Sequence, residues 1–344
     1  QMCIRDRRDP YLAYIAYAKG FCDAELIAIT NDNSMYKHQA RYLVLRREPE
    51  LWATVLKEDN VHRRALIDQV TAVAVPESTN PEDVSTTVKA FMAADLPHEL
   101  IKLLEPIVLQ PSAFSDNRSL KNLLMLTAIR TDKAKVTGYI ERLSGYDVDE
   151  IAKIAIDHGL FEEAFQIYSK AGQNTDAMDV LVEHIVSIDR AQHFANKLNL
   201  PEIWSRLGKA QLDGLRVKDA MDSYVRAEDP SNFEEVIEIA ERAGREEELI
   251  RYLQMARKLT REPKIDTEYA YCLAKAHRLS DMEEFLSMTN VADVLHVGEK
   301  CFNDGLYEAS RLLFSSVSNY ARLATTLVYL NDFPGAIEAA RKAG

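Results

Sequence analysis

Turn-forming residues are scarce. Only 12 glycines and 11 prolines occur in 344 residues, too few for an all-β chain of many short strands. Long apolar runs are missing too. Runs such as Val70 to Val75 fall far short of the roughly 20 residues a membrane-spanning helix needs, and no cleavable hydrophobic leader is expected. A soluble, cytosolic protein without direct membrane insertion is the expectation. Cysteine is sparse: Cys3, Cys22, Cys272 and Cys301 stand far apart, with neither a CxxC pair nor the spacing of a secreted disulfide framework. Cationic runs are absent as well. Basic residues come singly or in pairs such as Arg46-Arg47 and Arg63-Arg64, and the formal net charge is −12, so nucleic acid is not an expected partner.

The motifs of catalysis are lacking. The sequence holds no GxSxG elbow, no GxxxxGK[ST] loop, no GxGxxG and no HExxH. The eight histidines form no i, i+4 pair, and His184 and His193 stand nine residues apart. Adjacent carboxylates recur at Glu162-Glu163, Glu234-Glu235, Glu246-Glu247-Glu248 and Glu283-Glu284. Successive helical residues point about 100° apart, so such neighbours cannot converge on one substrate atom. All four clusters read as first-turn residues, where carboxylates meet the positive end of the helix dipole. No catalytic, cofactor-binding or metal-ligating residue is assigned, and neither enzyme activity nor a cofactor is expected. Asn117-Arg118-Ser119 spells a glycosylation acceptor, a tripeptide common by chance and without meaning in an unsecreted chain.

What the sequence does have is apolar residues, 47% of the chain, alongside 28% charged ones. From Ile151 to Tyr168 the apolar positions Ile151, Ile154, Ala155, Leu160, Phe161, Ala164, Phe165 and Tyr168 recur at steps of three and four, the period of an amphipathic helix. Asp157-His158-Gly159 interrupts them, because glycine readily takes the left-handed conformation that ends a helix. The unit is a helical hairpin.

The same phrase returns along the chain. Its tips fall at Ala18-Lys19-Gly20-Phe21, Ala94-Asp95-Leu96-Pro97, Asp213-Gly214-Leu215, Arg242-Ala243-Gly244, Asn303-Asp304-Gly305-Leu306 and Asn331-Asp332-Phe333-Pro334. One anchor per second helix, at Leu100, Val136, Ala164, Ala191, Ala220, Leu249, Phe285, Ala309 and Ala336, gives separations of 24 to 36 residues with a mean of about 30. That spacing is shorter and less regular than the 34-residue tetratricopeptide unit, whose consensus is missing. Hairpins of this size cannot bury both apolar faces alone, so neighbours must stack. The predicted fold is all-α: an α-solenoid, a right-handed superhelix of eleven or twelve hairpins, on the order of 100 Å long at about 8 to 10 Å per helix layer. Phe91, Phe161, Phe165, Tyr168, Tyr224 and Phe314 read as core. The pattern stops mid-unit at Arg341-Lys342-Ala343-Gly344 without a polar cap, as expected of a slice of a longer protein.

Residues 1–7 fit no periodic pattern and are read as a cloning scar or sequence artefact. Breaker-rich loops at 110–117 and 260–264 divide the remainder into repeat groups at 8–114, 115–262 and 266–344. A further loop, 76–81, joins two hairpins within a group.

From Arg8 onward the chain resembles the clathrin heavy chain family, in its helical leg. Long ungapped phrases carry the resemblance: Arg8-Asp9-Pro10; Arg41-Tyr42-Leu43-Val44 followed by Pro49-Glu50-Leu51-Trp52; Leu66-Ile67-Asp68-Gln69-Val70; Val88-Lys89-Ala90-Phe91-Met92 through Asp95-Leu96-Pro97; Asn122-Leu123-Leu124-Met125-Leu126-Thr127-Ala128-Ile129; Phe161-Glu162-Glu163-Ala164-Phe165; Tyr252-Leu253-Gln254-Met255-Ala256-Arg257-Lys258; and Arg322-Leu323-Ala324. The resemblance implies a structural subunit of a three-legged lattice that shapes transport vesicles, here the distal leg toward the knee. It implies other clathrin heavy chains as partners, in a trimer and lattice, with the light chain bound mostly outside this segment. The implied location is the cytosolic face of coated pits and vesicles, at the plasma membrane and trans-Golgi network. The competing reading is a helical-repeat subunit of a vacuolar-sorting or tethering complex. None of the family's defined peptide-binding motifs falls here, so no binding residue is carried over.

Overall fold

The computed structural model describes residues 9–344; the opening heptad and Cys3 lie outside the described residues. Two compact units divide between Gln173 and Asn174. Among the described residues every regular element is helical. The first unit runs α1 (Pro10–Gly20), α2 (Asp23–Asp32), α3 (Tyr36–Arg46), α4 (Pro49–Val55), α5 (Arg63–Gln69) with a π turn at Val70–Ala74, α6 (Pro81–Ala93), α7 (Pro97–Leu109), α8 (Arg118–Thr131), α9 (Lys133–Arg142), α10 (Val148–Asp157) and α11 (Phe161–Ala171). The second runs α12 (Asn174–Asp179) with a π turn at Val180–His184, α13 (Ile188–Leu198), α14 (Pro201–Asp213), α15 (Val217–Ala227), α16 (Phe233–Ala243), α17 (Glu246–Leu259), α18 (Pro263–Lys275), α19 (Leu279–Ser287), α20 (Val294–Asn303), α21 (Tyr307–Ser316), α22 (Tyr320–Tyr329) and α23 (Phe333–Ala343).

One hairpin shows how sequence builds the unit. Asp147 caps α10 by accepting from the Glu150 amide, and Asp149 and Glu150 occupy the first turn, against the helix dipole. Ile151, Ala152 and Ala155 turn one face inward. The helix stops where Gly159 takes φ +75° and the Leu160 amide reaches back to the Ala155 carbonyl at 2.8 Å. That six-to-one bond marks a Schellman stop. α11 follows with Ala164, Ile167 and Tyr168 buried, and halts in the same way at Gly172, with the Gln173 amide 3.0 Å from the Tyr168 carbonyl.

The stop recurs at the hairpin tips. It closes Leu96 onto Phe91, Arg216 onto Gln211, Arg245 onto Ala240, Arg278 onto Leu273, Leu306 onto Cys301 and Asp332 onto Leu327, all at 2.8 to 3.1 Å. Glycine holds the left-handed position at 159, 244 and 305, whereas Phe21, Asp95, Leu215, His277 and Asn331 hold it elsewhere. At Asp213-Gly214-Leu215 the glycine keeps φ −81° and the leucine carries the strain.

Packing is local in sequence. Within each unit a helix packs on its hairpin mate, as α10 on α11, α14 on α15 and α20 on α21, and on the helix two places along, as α15 on α17, α18 on α20 and α19 on α21. This is the contact pattern of stacked hairpins. All nine anchors, from Leu100 on α7 to Ala336 on α23, are buried. Phe91, Tyr168, Tyr224 and Phe314 are buried with them, and Phe161 and Phe165 are half-buried.

The expected loop at 110–117 separates α7 from α8, and its Asn117 caps α8 by accepting from the Leu120 amide at 3.1 Å. The glycosylation tripeptide is thus a helix start. At 260–264 the loop is shorter than read: Pro263 is the first residue of α18, where its missing N–H costs nothing.

Candidate interaction surfaces

Two of the carboxylate clusters, Glu234-Glu235 and Glu246-Glu247-Glu248, belong to a ladder of ion pairs between successive hairpins. Glu162-Glu163, Glu234-Glu235 and Glu246-Glu247-Glu248 open α11, α16 and α17, as first-turn acids. Glu283-Glu284 does not: α19 begins at Leu279, after a stop carried by His277, which places this pair in its second turn. Neighbouring acids reach in opposite directions. Glu234 meets Lys264 at 3.3 Å, thirty residues ahead, while Glu235 meets Lys209 at 2.7 Å, twenty-six residues back. They do not converge, as the helical geometry requires.

The same offset recurs along both units. Arg41 pairs with Glu77, Arg64 with Glu99, Lys135 with Glu105 and Arg118 with Asp147. Further on, Arg206 pairs with Asp179, Arg216 with Asp189, Arg251 with Asp222, Lys275 with Glu246 and Arg278 with Glu247. Lys170 supplies a neutral-acceptor version of the same rung: its ammonium donates to the carbonyls of Ile140, Glu141 and Leu143 at 2.6 to 2.9 Å, capping α9 one repeat earlier. Exposed pairs are each worth about 0–1 kcal/mol, so the rungs set how one hairpin seats on the next more than they add stability. Two ion pairs are more deeply set. Asp83, buried, accepts from Arg47 at 2.6 Å and Ser78 at 2.8 Å, joining α3 to α6. Arg257 and Asp266, with side chains 17% and 9% exposed, pair at 3.0 Å. A buried carboxylate stripped of its cation is strongly destabilising. Sequence reading missed the ladder; opposite charges offset by the anchor spacing are its signature.

The thiols are quiet. Burial pushes those of Cys272 and Cys301 up to about 12, so both stay protonated and unreactive at neutral pH. Of the histidines, His62 shares a 2.9 Å hydrogen bond with the Tyr36 hydroxyl, and His38 lies edge-on to Tyr11 and Tyr14. Among the described residues no three His, Cys, Asp or Glu side chains gather as metal ligands would, and no helix is long and apolar enough to cross a membrane.

Open apolar surfaces occur in both units. In the second unit α22 and α23 expose Val328, Tyr329, Phe333 and Ile337, each about half accessible, around a hollow of 480 Å³. In the first unit a cleft of 530 Å³ opens beside α4 and α6.

A chain of consecutive helical hairpins, stapled to their neighbours at one-repeat offsets, is a helical-repeat protein. The family described as "Region in Clathrin and VPS" matches residues 4–67, 75–219 and 224–344, and the chain belongs to this clathrin repeat family. It is 57% identical over 338 residues to the "Probable clathrin heavy chain" of Schizosaccharomyces pombe, covering 98% of this chain and 20% of that protein. To the "Clathrin heavy chain" of Drosophila melanogaster it is 53% identical, with the same coverage, and to "Clathrin heavy chain 2" of Homo sapiens 51%, covering 98% of this chain and 21% of the relative. The chain thus spans about a fifth of the length of these relatives.

Proposed function

We propose that the chain is a leg segment of a clathrin-type coat: a structural element that supplies stiffness, curvature and leg-to-leg contact in a lattice for vesicle transport and endocytosis, and that performs no catalysis. The single observation that carries this is identity above 50% to named clathrin heavy chains along 98% of the chain. The one-repeat ladder supports it physically, since stacked hairpins pinned to both neighbours resist bending without any dominant contact. The vacuolar-sorting alternative shares the repeat, but the similarity to clathrin heavy chains disfavours it.

On this reading its partners are other heavy chains, with the light chain mostly elsewhere, and its place is the cytosolic face of coated pits and vesicles. Many weak contacts made together by linked legs become collectively strong. The groups 8–114, 115–262 and 266–344 are the proposed repeat blocks, supported by the helix-free stretch between α7 and α8 and the break before α18.

The test is a segment exchange. Residues 9–344 replace the matching stretch of the fission yeast relative, and coat assembly of the purified chimera is scored by electron microscopy. Closed coats are expected. A chimera that is folded and helical by circular dichroism yet forms no coats would overturn the reading.

A further inference from the structure

The 530 Å³ cleft beside α4 and α6 joins an apolar floor to a cationic rim. Its floor is apolar and hollow because small side chains meet there: Ala53 of α4 and Ala90 of α6 leave the space, with the buried Leu56 beneath. Its rim is cationic. Four of its lining residues, Arg47, Lys57, Arg63 and Lys89, are basic and one, Glu58, is acidic, in a chain of net charge −12.

Arg47 is engaged by Glu82 and Asp83. Lys57, Arg63 and Lys89 have no ion-pair partner among the described residues, although cations elsewhere are repeatedly paired along the ladder. Moreover, the Nε of Arg63 is buried without an acceptor. A buried donor left unpaired costs about 1–3 kcal/mol, so the Arg63 guanidinium gains from any rearrangement that brings it an acceptor. The volume lies within the roughly 300–1,000 Å³ of small binding sites, room for an apolar side chain and its neighbours but not for a folded domain. The three free cations stand on separate elements around the floor: Lys57 after α4, Arg63 opening α5 and Lys89 on α6. Carboxylates spaced along a chain match such a rim better than one compact anion.

We infer that this cleft docks an acidic peptide segment of another protein, with an apolar side chain on the Ala53–Leu56–Ala90 floor and flanking carboxylates on Lys57, Arg63 and Lys89. The probe is a fluorescein-labelled decapeptide with a central Leu-Phe pair flanked by glutamates, and a control in which lysines replace the glutamates. Anisotropy is read with the whole chain, and alanine-methyl NMR locates the peptide. Saturable binding is expected, weakened by added salt, absent for the lysine peptide, and reduced at least tenfold by Lys57→Glu with Lys89→Glu, two exposed positions whose exchange leaves the melting temperature unchanged. Ala53 and Ala90 methyl shifts should move while those of α14 to α23 stay. Arg63→Gln should weaken binding on its own. Absence of saturation by about 1 mM, a free energy of only about 4 kcal/mol, would overturn the proposal. So would binding that survives the double charge reversal, or self-association of the chain that the same variants abolish, which would assign the cleft to a second copy.

Discussion

Hairpins α14–α15 and α20–α21 are the same device built twice, ninety residues apart. Gly208 and Gly298 lie on the first helix of each, and Tyr224 and Phe314 follow sixteen residues later on the second. In both, glycine is there because a ring covers it. A methyl added at Gly298 would stand 2.7 Å from the nearest Phe314 ring carbon, whereas at Gly208 the nearest ring atoms of Tyr224 lie at 3.2 Å. Asn232 donates to the Tyr224 hydroxyl at 3.0 Å and holds that ring from outside; phenylalanine has no such tether and settles deeper. The tips differ as well. Gly305 carries the left-handed turn of one hairpin, and Leu215, largely exposed, carries it in the other. One architecture thus tolerates different local solutions, because the six-to-one bond and the small-against-ring contact are conserved in geometry even where the residues change.

The largest expected effect separates the two glycines. Gly298→Ala forces a fully buried ring to move, and overpacking of about 1–3 kcal/mol outweighs the roughly 1 kcal/mol that alanine gains in a helix. A net loss of about 1–2 kcal/mol is predicted by urea denaturation, against a change within about 0.5 kcal/mol for Gly208→Ala. Equal effects would mean that the difference in ring depth does not exist in solution.

Next come the tips. Leu215→Gly relieves a left-handed leucine and should stabilise by about 0.5–1 kcal/mol, while Gly305→Leu should cost about 1 kcal/mol. Calorimetric midpoints moving in opposite directions check the pair.

The smallest effect is electrostatic. The Lys275 hydrogen bond holds the Glu246 carboxyl below its ordinary 4.5. A depressed folded value means the rung contributes above the unfolded value and is lost as pH falls through the folded one. Lys275→Met should therefore lower stability by a few tenths of a kcal/mol at pH 7, and the gap should close below about pH 4.

Much of this was legible in the sequence, and for a physical reason. Burial follows helical period, so one anchor per repeat located nine buried positions on alternate helices from α7 to α23. Glycine at 159, 244 and 305 announced its own turns. The tip at Asp213-Gly214-Leu215 was legible too, although Leu215 and not its glycine carries the turn, whereas His277 did not announce its own, because there the stop is imposed by the backbone bond from Arg278 to Leu273 rather than by residue type. Misplacing Glu283-Glu284 followed from that. The ladder and the cationic cleft were hidden for another reason: which charges meet depends on the seating of one hairpin on the next, and near neighbours in sequence carry no trace of it.

The central claim is that stability here is a sum of contacts between neighbouring hairpins. Native-state hydrogen exchange of the chain and of Gly298→Ala, followed helix by helix, tests it directly. The account predicts that protection falls in α20–α21 and their neighbours α18–α19 and α22–α23, while α8 to α11 keep theirs. A uniform fall across every helix would show a single cooperative core and contradict it.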